Sequence, residues 1–383
     1  MRRRSAFGLV EQALSLRNDV DWDSIRAEGH ALLAVPSAGA WAVTENSLAR
    51  QLGAKDELSP SSTHWRHRPL AVSEDDLSRG LLHMPEALFL QVHSALVAAL
   101  GARRNAAWLG RVEAVTASVC SHLRAEREID LVSQILVPVA QPVALELVGV
   151  PPPEAQVVSN TASANPGRAS EILQQAVTDH MRAVWREERT GGVLDIARLA
   201  RLAPGSNSGE QIATGVAISI VEATLNNMLD VLVASCATIM SQPGLMRSLS
   251  EETELVDGIL EELLRFCARG MGAVRFARSP FHIGAYEIRA GDLIFAPPRA
   301  VNFDPNAFEH AQVFNPFRKG SARHLSFGLT PYDCPAGSLA RAQLSAVLAT
   351  LAREFPGLTT RGEVAHTDGK LFGEVSELSV AIG

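Results

Sequence analysis

From Gly209 to Met240 the chain runs for about 30 residues without a proline, and apolar residues recur at threes and fours throughout. At a rise of 1.5 Å per residue such a helix is about 45 Å long. That is enough to cross a whole domain, so the rest of the chain has to pack around it. Ser208, followed three positions on by Gln211, is a capping-box pattern that opens the helix. Glu222, Thr224, Asn226, Asn227 and Asp230 break its apolar texture. They read either as one solvated stripe of a central helix or as groups kept for chemistry.

Helical periodicity also marks Leu88 to Leu100, Ala106 to Leu123, Ile129 to Val148 and Ala169 to Glu188. Between about Gly272 and Phe303 it gives way to short β-like stretches set off by Gly284, Gly291 and Pro297-Pro298. No repeat, low-complexity tract or linker divides the 383 residues. The expected fold class is therefore mainly α with a small β region (α+β), as a single domain over residues 1–383. With 46% hydrophobic and 20% charged residues the chain is globular rather than disordered. A formal charge of -7 argues against a nucleic-acid partner, whose footprint would be basic. The basic start, Met1 to Arg4, meets Glu11 after only a few apolar residues, which is no secretory signal. The most apolar window, Leu131 to Val150, is broken by Gln134, Pro138, Gln141, Pro142 and Glu146 and reads as a buried core helix, so no membrane partner is expected. Four cysteines without Cys-x-x-Cys spacing exclude a disulfide framework and point to a reducing, cytoplasmic setting.

One of those cysteines is placed for chemistry. Cys334 ends an irregular loop from His324, directly ahead of a helix whose apolar face is Leu339, Ala340, Leu344, Val347, Leu348 and Leu351. A sulfur there faces the free N–H groups of the first turn, chiefly Ala336 and Gly337, and the positive end of the helix dipole, both of which favour a thiolate. Pro335 suits the first helical position. Cys120 and Cys236 fall within helical apolar patterns and read as core. The loop alone leaves three uses of Cys334 open: a structural cysteine, a metal or heme thiolate, or a nucleophile, the last lacking a base nearer than His324.

The loop His324-Leu325-Ser326-Phe327-Gly328-Leu329-Thr330-Pro331-Tyr332-Asp333-Cys334-Pro335-Ala336-Gly337 resembles that of the cytochrome P450 superfamily, the heme-thiolate monooxygenases, in its soluble bacterial type. The family loop reads Phe-Gly-x-Gly-x-His/Arg-x-Cys-x-Gly, and Phe327, Gly328 and Cys334 match, as do Leu339-Ala340-Arg341 beyond. Glu262-Leu263-Leu264-Arg265 matches the family's Glu-x-x-Arg, Arg275-Phe276-Ala277 and Asn302-Phe303-Asp304-Pro305 its sheet and meander, and Pro142 to Pro151 an earlier helix end. The resemblance covers nearly the whole chain. It implies heme b as cofactor, with Cys334 as the axial iron ligand. Phe327, Gly328, Ala336 and Gly337 would surround the sulfur, Arg275 and His324 would hold heme propionates, and Glu262 with Arg265 would fix the meander.

Three departures qualify it. Thr330, Tyr332 and Ala336 replace glycine, a basic residue and glycine of the family loop. Ala87 and Gln91 stand where the family's Pro-Glu-His-x-x-x-Arg supplies a propionate-binding pair, leaving His93 and Arg103 or Arg104 as substitutes. The family's Ala/Gly-Gly-x-Asp/Glu-Thr, whose acid and alcohol deliver protons during oxygen activation, aligns with Ser219 to Thr224: Glu222 keeps the acid, Ala223 replaces the alcohol, and Thr224 comes one position late. The catalytic set expected is Glu222, Ala223 and Thr224, helped by water, a substrate hydroxyl, or Asn226 or Asn227.

The function this implies is an oxidative tailoring enzyme of bacterial specialised metabolism, working by substrate-assisted oxidation or by aromatic or peptide cross-linking. The alternative is a non-catalytic relative that activates another biosynthetic enzyme, and retained Cys334 argues against it. A peroxide-using enzyme is disfavoured because no Arg-Pro pair occupies the Glu222-Ala223 site. Substrate contacts are expected from Lys55 to Leu82 and from Val157 to Ser206. His64, Trp65, Arg66, His67 and Arg68 suggest a small molecule with a carboxylate, or a peptide. Arg318, Lys319, Arg323 and Arg341 form the basic cluster expected to dock an acidic ferredoxin, itself served by a ferredoxin reductase.

Overall fold

The computed structural model describes residues 20–67, 81–101, 105–186, 206–252, 254–269, 272–361, 365–366 and 375–382. Before the long helix lie α1 (Trp22–Ala27), α2 (Asn46–Gly53), α3 (Glu86–Leu100), α4 (Asn105–Ser121), α5 (Val137–Leu147, entered through a π-helical turn, Val132–Leu136), α6 (Pro152–Ser163) and α7 (Ala169–Arg186). The long helix is α8 (Ser206–Glu222) and α9 (Leu229–Met240), joined by a second π turn, Ala223–Met228, with helical backbone angles at both joints. It begins two residues ahead of Ser208. After it come α10 (Leu245–Glu251), α11 (Glu254–Cys267), α12 (Pro298–Val301) and α13 (Gly337–Glu354). The described residues are mainly α-helical with a small β region.

The long helix occupies the centre because its stripe Ile212, Val216, Val221, Leu232, Cys236 and Ile239 is buried in one core with residues of α3 to α7, α10, α11 and α13. By length and composition Gly209–Met240 would also cross a membrane, and 33% of its most apolar window is buried within the protein. The π turn changes which residues face the core. Val221 and Met228 are buried on either side of it, while Glu222, Ala223, Asn226 and Asn227 are exposed along one face. Leu131 to Val150 is the core segment its sequence suggests, buried from Val139 through Leu147.

Short strands make a five-stranded sheet. Strands β1 (Leu32–Val35) and β2 (Ala40–Val43) form a hairpin, β3 (Leu58–Ser59) is an edge, and β4 (Glu128–Asp130) belongs to a separate three-stranded sheet. Of β5 (Ala273–Ala277), β6 (Phe281–Ile283), β7 (Tyr286–Ile288) and β8 (Leu293–Ala296), the first and last complete the order β1-β2-β8-β5-β3. Only β2 and β8 run parallel. All five residues of β5 are buried, so Arg275 at its centre is an interior guanidinium.

Two surface expectations fail here. Ser59, Ser61, Ser62 and Trp65 are buried, Arg66 pairs with Asp292 at 2.6 Å and His64 with Glu86 at 3.3 Å. This stretch is therefore packed against the sheet rather than forming a polar lid; Arg68 and most of 68–82 lie outside the described residues, as does 187–205. Of the expected basic cluster, Arg318 has a buried side chain whose Nε donates to Glu262 Oε1 at 3.0 Å. Arg341 pairs with Glu261, whereas Lys319 and Arg323, which donates to the Ala307 carbonyl, are exposed.

Candidate active site

Cys334 stands three residues ahead of Gly337, where α13 begins with Ala336 as its cap. Of the four cysteines only Cys334 is exposed. Burial pushes the thiols of Cys120 and Cys236 up to about 12, which makes them inert core residues. The Cys334 N–H donates to Phe327 O at 2.6 Å, and Cys334 O accepts from the Gly337 N–H at 3.1 Å. Gly328 turns the loop with φ +98°, a backbone state that glycine enters freely. Of the two amides expected at the sulfur, only that of Ala336 reaches it. Although Cys334 is exposed on one side, the protein crowded round its other sides desolvates the sulfur and pushes its thiol up; the Asp333 carboxylate works with that desolvation, and Ala336 N–H and Arg341 work against it. A thiolate in this setting needs a positive charge beside it. Pro335 precedes the cap instead of filling the first helical position. Phe327 lies under the Arg341 guanidinium, 4.5 Å from charge to ring centroid.

Arg275 donates from Nη1 to Val274 O at 2.9 Å and from Nη2 to Leu329 O at 2.5 Å, and its guanidinium lies 5.3 Å from the Tyr332 ring centroid. Its Nε is buried without a partner, and among the described residues no carboxylate pairs with it. Burial pulls this guanidinium down to about 10, with Tyr332 and Asp333 opposing the shift. His324 Nδ1 accepts from Ser326 N–H at 3.2 Å, and its Nε2 lies 3.2 Å from Glu261 Oε2. Like Arg275 Nε, His324 Nε2 is buried without a hydrogen-bond partner. His93 donates from Nε2 to the Asp333 carbonyl at 2.7 Å rather than standing free as a substitute anchor. Arg103 and Arg104 lie outside the described residues.

On the long helix, Glu222 Oε1 accepts from Gln174 Nε2 of α7 at 2.7 Å. Glu222 is solvent-accessible, but protein crowded round it partly desolvates the carboxyl and raises it, and that hydrogen bond offsets the rise only in part. Thr224 Oγ1 donates to Ile220 O at 2.9 Å, which leaves the hydroxyl only acceptor capacity, and Ala223 brings no polar group. The π turn starts at Ala223, inside the aligned stretch Ser219 to Thr224, and Asn226 and Asn227 are its exposed polar residues. The adjacent amide pair in an apolar helix was a visible signal. The change of helical register that gives it prominence was not.

These donors fit a heme. Cys334 offers an open sulfur at a helix start, and Arg275 offers a buried N–H suited to an anionic propionate. The comparisons agree. The family model described as Cytochrome P450 matches residues 238–371. A cytochrome P450 of Mycobacterium marinum is 29% identical over 66% of this chain and 64% of its own length. The 20-oxo-5-O-mycaminosyltylactone 23-monooxygenase of Streptomyces fradiae is 24% identical over 99% of this chain and 93% of its own. An epothilone D-bound cytochrome P450 structure superposes with TM-score 0.80 over 94% of this chain and 95% of that one at 18% identity, which is likeness of fold. With the Cys334 loop, the Glu262–Arg265 pair and the central helix all in family order, the chain matches the cytochrome P450 superfamily, whose cofactor is heme b.

Proposed function

We propose that this chain is an oxidative tailoring enzyme of bacterial specialised metabolism, a heme-thiolate monooxygenase or oxidase acting on a small molecule or a peptide. The observation that carries the reading is the open Cys334 sulfur at the start of α13, in a protein whose other three cysteines are buried. The relatives add the substrate context, since one is named as a tylactone monooxygenase and a structural neighbour is bound to epothilone. When bound, the heme activates O2 with two electrons, which a ferredoxin and its reductase would supply.

The chain's own residues then divide the work. Cys334 would hold the iron, with the Ala336 amide directed at its sulfur. Arg275 Nε holds a propionate. Glu222, raised by partial desolvation, keeps a proton to higher pH than an ordinary carboxyl and is the acid of the site, steadied by Gln174. Asn226 and Asn227 bring N–H and C=O groups that order water or a substrate amide but have no acidic proton of their own. Proton delivery therefore leans on water or on the substrate, which suits substrate-assisted oxidation and aromatic or peptide cross-linking.

The first test is the reduced, carbon-monoxide-bound spectrum: a thiolate-type band is expected in the purified protein and its loss in Cys334→Ala. A thiolate band that survives the substitution overturns the reading. Substrate class is found by screening small peptides, aromatic amino acids and polyketides for a spectral shift, then comparing product masses for oxygen gain against loss of hydrogen. A ligand that shifts the spectrum yet is never converted with electrons supplied favours the non-catalytic activating role.

A further inference from the structure

The peptide group between Asp333 and Cys334 is held at both ends. On one side the Cys334 N–H donates to Phe327 O at 2.6 Å, inside the loop itself. On the other, Asp333 O accepts from His93 Nε2 at 2.7 Å, and His93 comes from α3, 240 residues away along the chain. A carbonyl can only accept, so Nε2 carries the hydrogen and the tautomer is set by the contact.

The His93 ring is itself fixed. Phe89, one turn earlier on α3, stacks on it at 5.6 Å with planes 16° apart. Tyr332 meets both rings edge-on, at 5.9 Å from Phe89 and 6.2 Å from His93. Arg275 covers Tyr332 and bonds Leu329 O in the same loop. The helix imidazole is thus wedged between α3 and the loop, with its one N–H directed at the residue before the cysteine.

We propose that His93 is a positioning residue for Cys334. By holding the plane of the Asp333–Cys334 peptide, it sets the direction in which the Cys334 Cα–Cβ bond leaves the chain and hence where the sulfur points. A hydrogen bond to the carbonyl also polarises the amide and strengthens the bond its N–H makes to Phe327, so the two clamps reinforce each other. This deepens the heme-thiolate reading and rests on Cys334 as the iron ligand.

Two variants separate the hydrogen bond from the packing. His93→Phe keeps an aromatic ring on Phe89 and removes the donor; His93→Gln restores a side-chain N–H. In the reduced, carbon-monoxide-bound protein, His93→Phe is expected to lose the thiolate-type band about three- to tenfold faster than wild type, the scale of one hydrogen bond, and His93→Gln to recover part of that. Equal rates in wild type and His93→Phe overturn the proposal, and so does a loss that His93→Gln leaves unrepaired. Heme-free protein gives the second readout: the rate at which iodoacetamide alkylates Cys334 should change in His93→Phe and return toward wild type in His93→Gln, and an unchanged rate overturns the positioning role. If Cys334→Ala leaves the thiolate band in place, the heme reading fails instead, while the alkylation comparison still tests His93.

Discussion

At the scale of single residues, the site depends on which polar groups are already engaged. Thr224 gives its hydrogen to Ile220 O, and His324 Nδ1 accepts one from Ser326 N–H, while His324 Nε2 stays beside Glu261 without a hydrogen-bond partner. Among the described residues Glu222 is hydrogen-bonded by Gln174, a neutral partner that leaves its proton available. Glu222→Gln is therefore expected to lower turnover about 100-fold, in the range for loss of a general acid. The measurement is product formed per electron delivered, since uncoupled electron flow with little product is the signature of missing protons. Cys334 was legible in the sequence as a cysteine directly before a helix, and Arg275 through the family resemblance alone. His93 and Gln174 were not, because their roles depend on which backbone or side-chain atom lies opposite, and nothing within either helix encodes that.

At the scale of elements, the loop carrying Cys334 is held by helices on several sides. Gly53 at the end of α2 lies against it so closely that an added Cβ would come within 2.7 Å of Thr330 O and 2.9 Å of Leu329 Cβ. In an open helix Gly→Ala gains about 1 kcal/mol; here the methyl meets backbone, and the sign reverses. Gly53→Ala should lower the melting temperature and weaken heme retention together, both read in one thermal scan monitored by absorbance. Glu261 ties α11 to the loop through His324 and to α13 through Arg341. Burial alone would raise its carboxyl, but those partners bring it down to about 2 from an ordinary 4.5. A carboxyl lowered in the folded state is protonated first in the unfolded one, so its stabilisation is complete above about pH 4.5 and disappears as pH falls toward 2. Denaturant midpoints should drop across that window in wild type and less steeply in Glu261→Gln. Helix positions were readable from apolar spacing to within a few residues. The π turn at Ala223–Met228 was not, because an inserted residue shifts every later position without altering composition or hydrophobic count.

At the scale of the whole molecule, one carboxylate organises a long stretch of irregular chain. Glu262 accepts from Arg265 Nε and Nη2, the Arg318 Nε, the Ser321 Oγ and the Asn315 N–H. Arg265, fully buried, also donates to the carbonyls of Asn302 and Ala311. Removing one partner leaves an uncompensated interior charge, a loss of about 3–5 kcal/mol. Arg265→Ala is thus expected to shift the urea midpoint far more than Arg323→Ala, whose side chain is on the surface. The same carboxylate has a consequence for electron transfer. Since it draws Arg318 inward, and Glu261 neutralises Arg341, the four cations that looked like a docking patch in the sequence leave two exposed charges, Lys319 and Arg323, the latter bonded to carbonyls that do not cancel its charge. Long-range attraction of an acidic donor then rests on two charges rather than four. Reduction rates should fall less steeply with ionic strength than a patch of four cations would give, so a borrowed redox chain is a reasonable choice for reconstituting it.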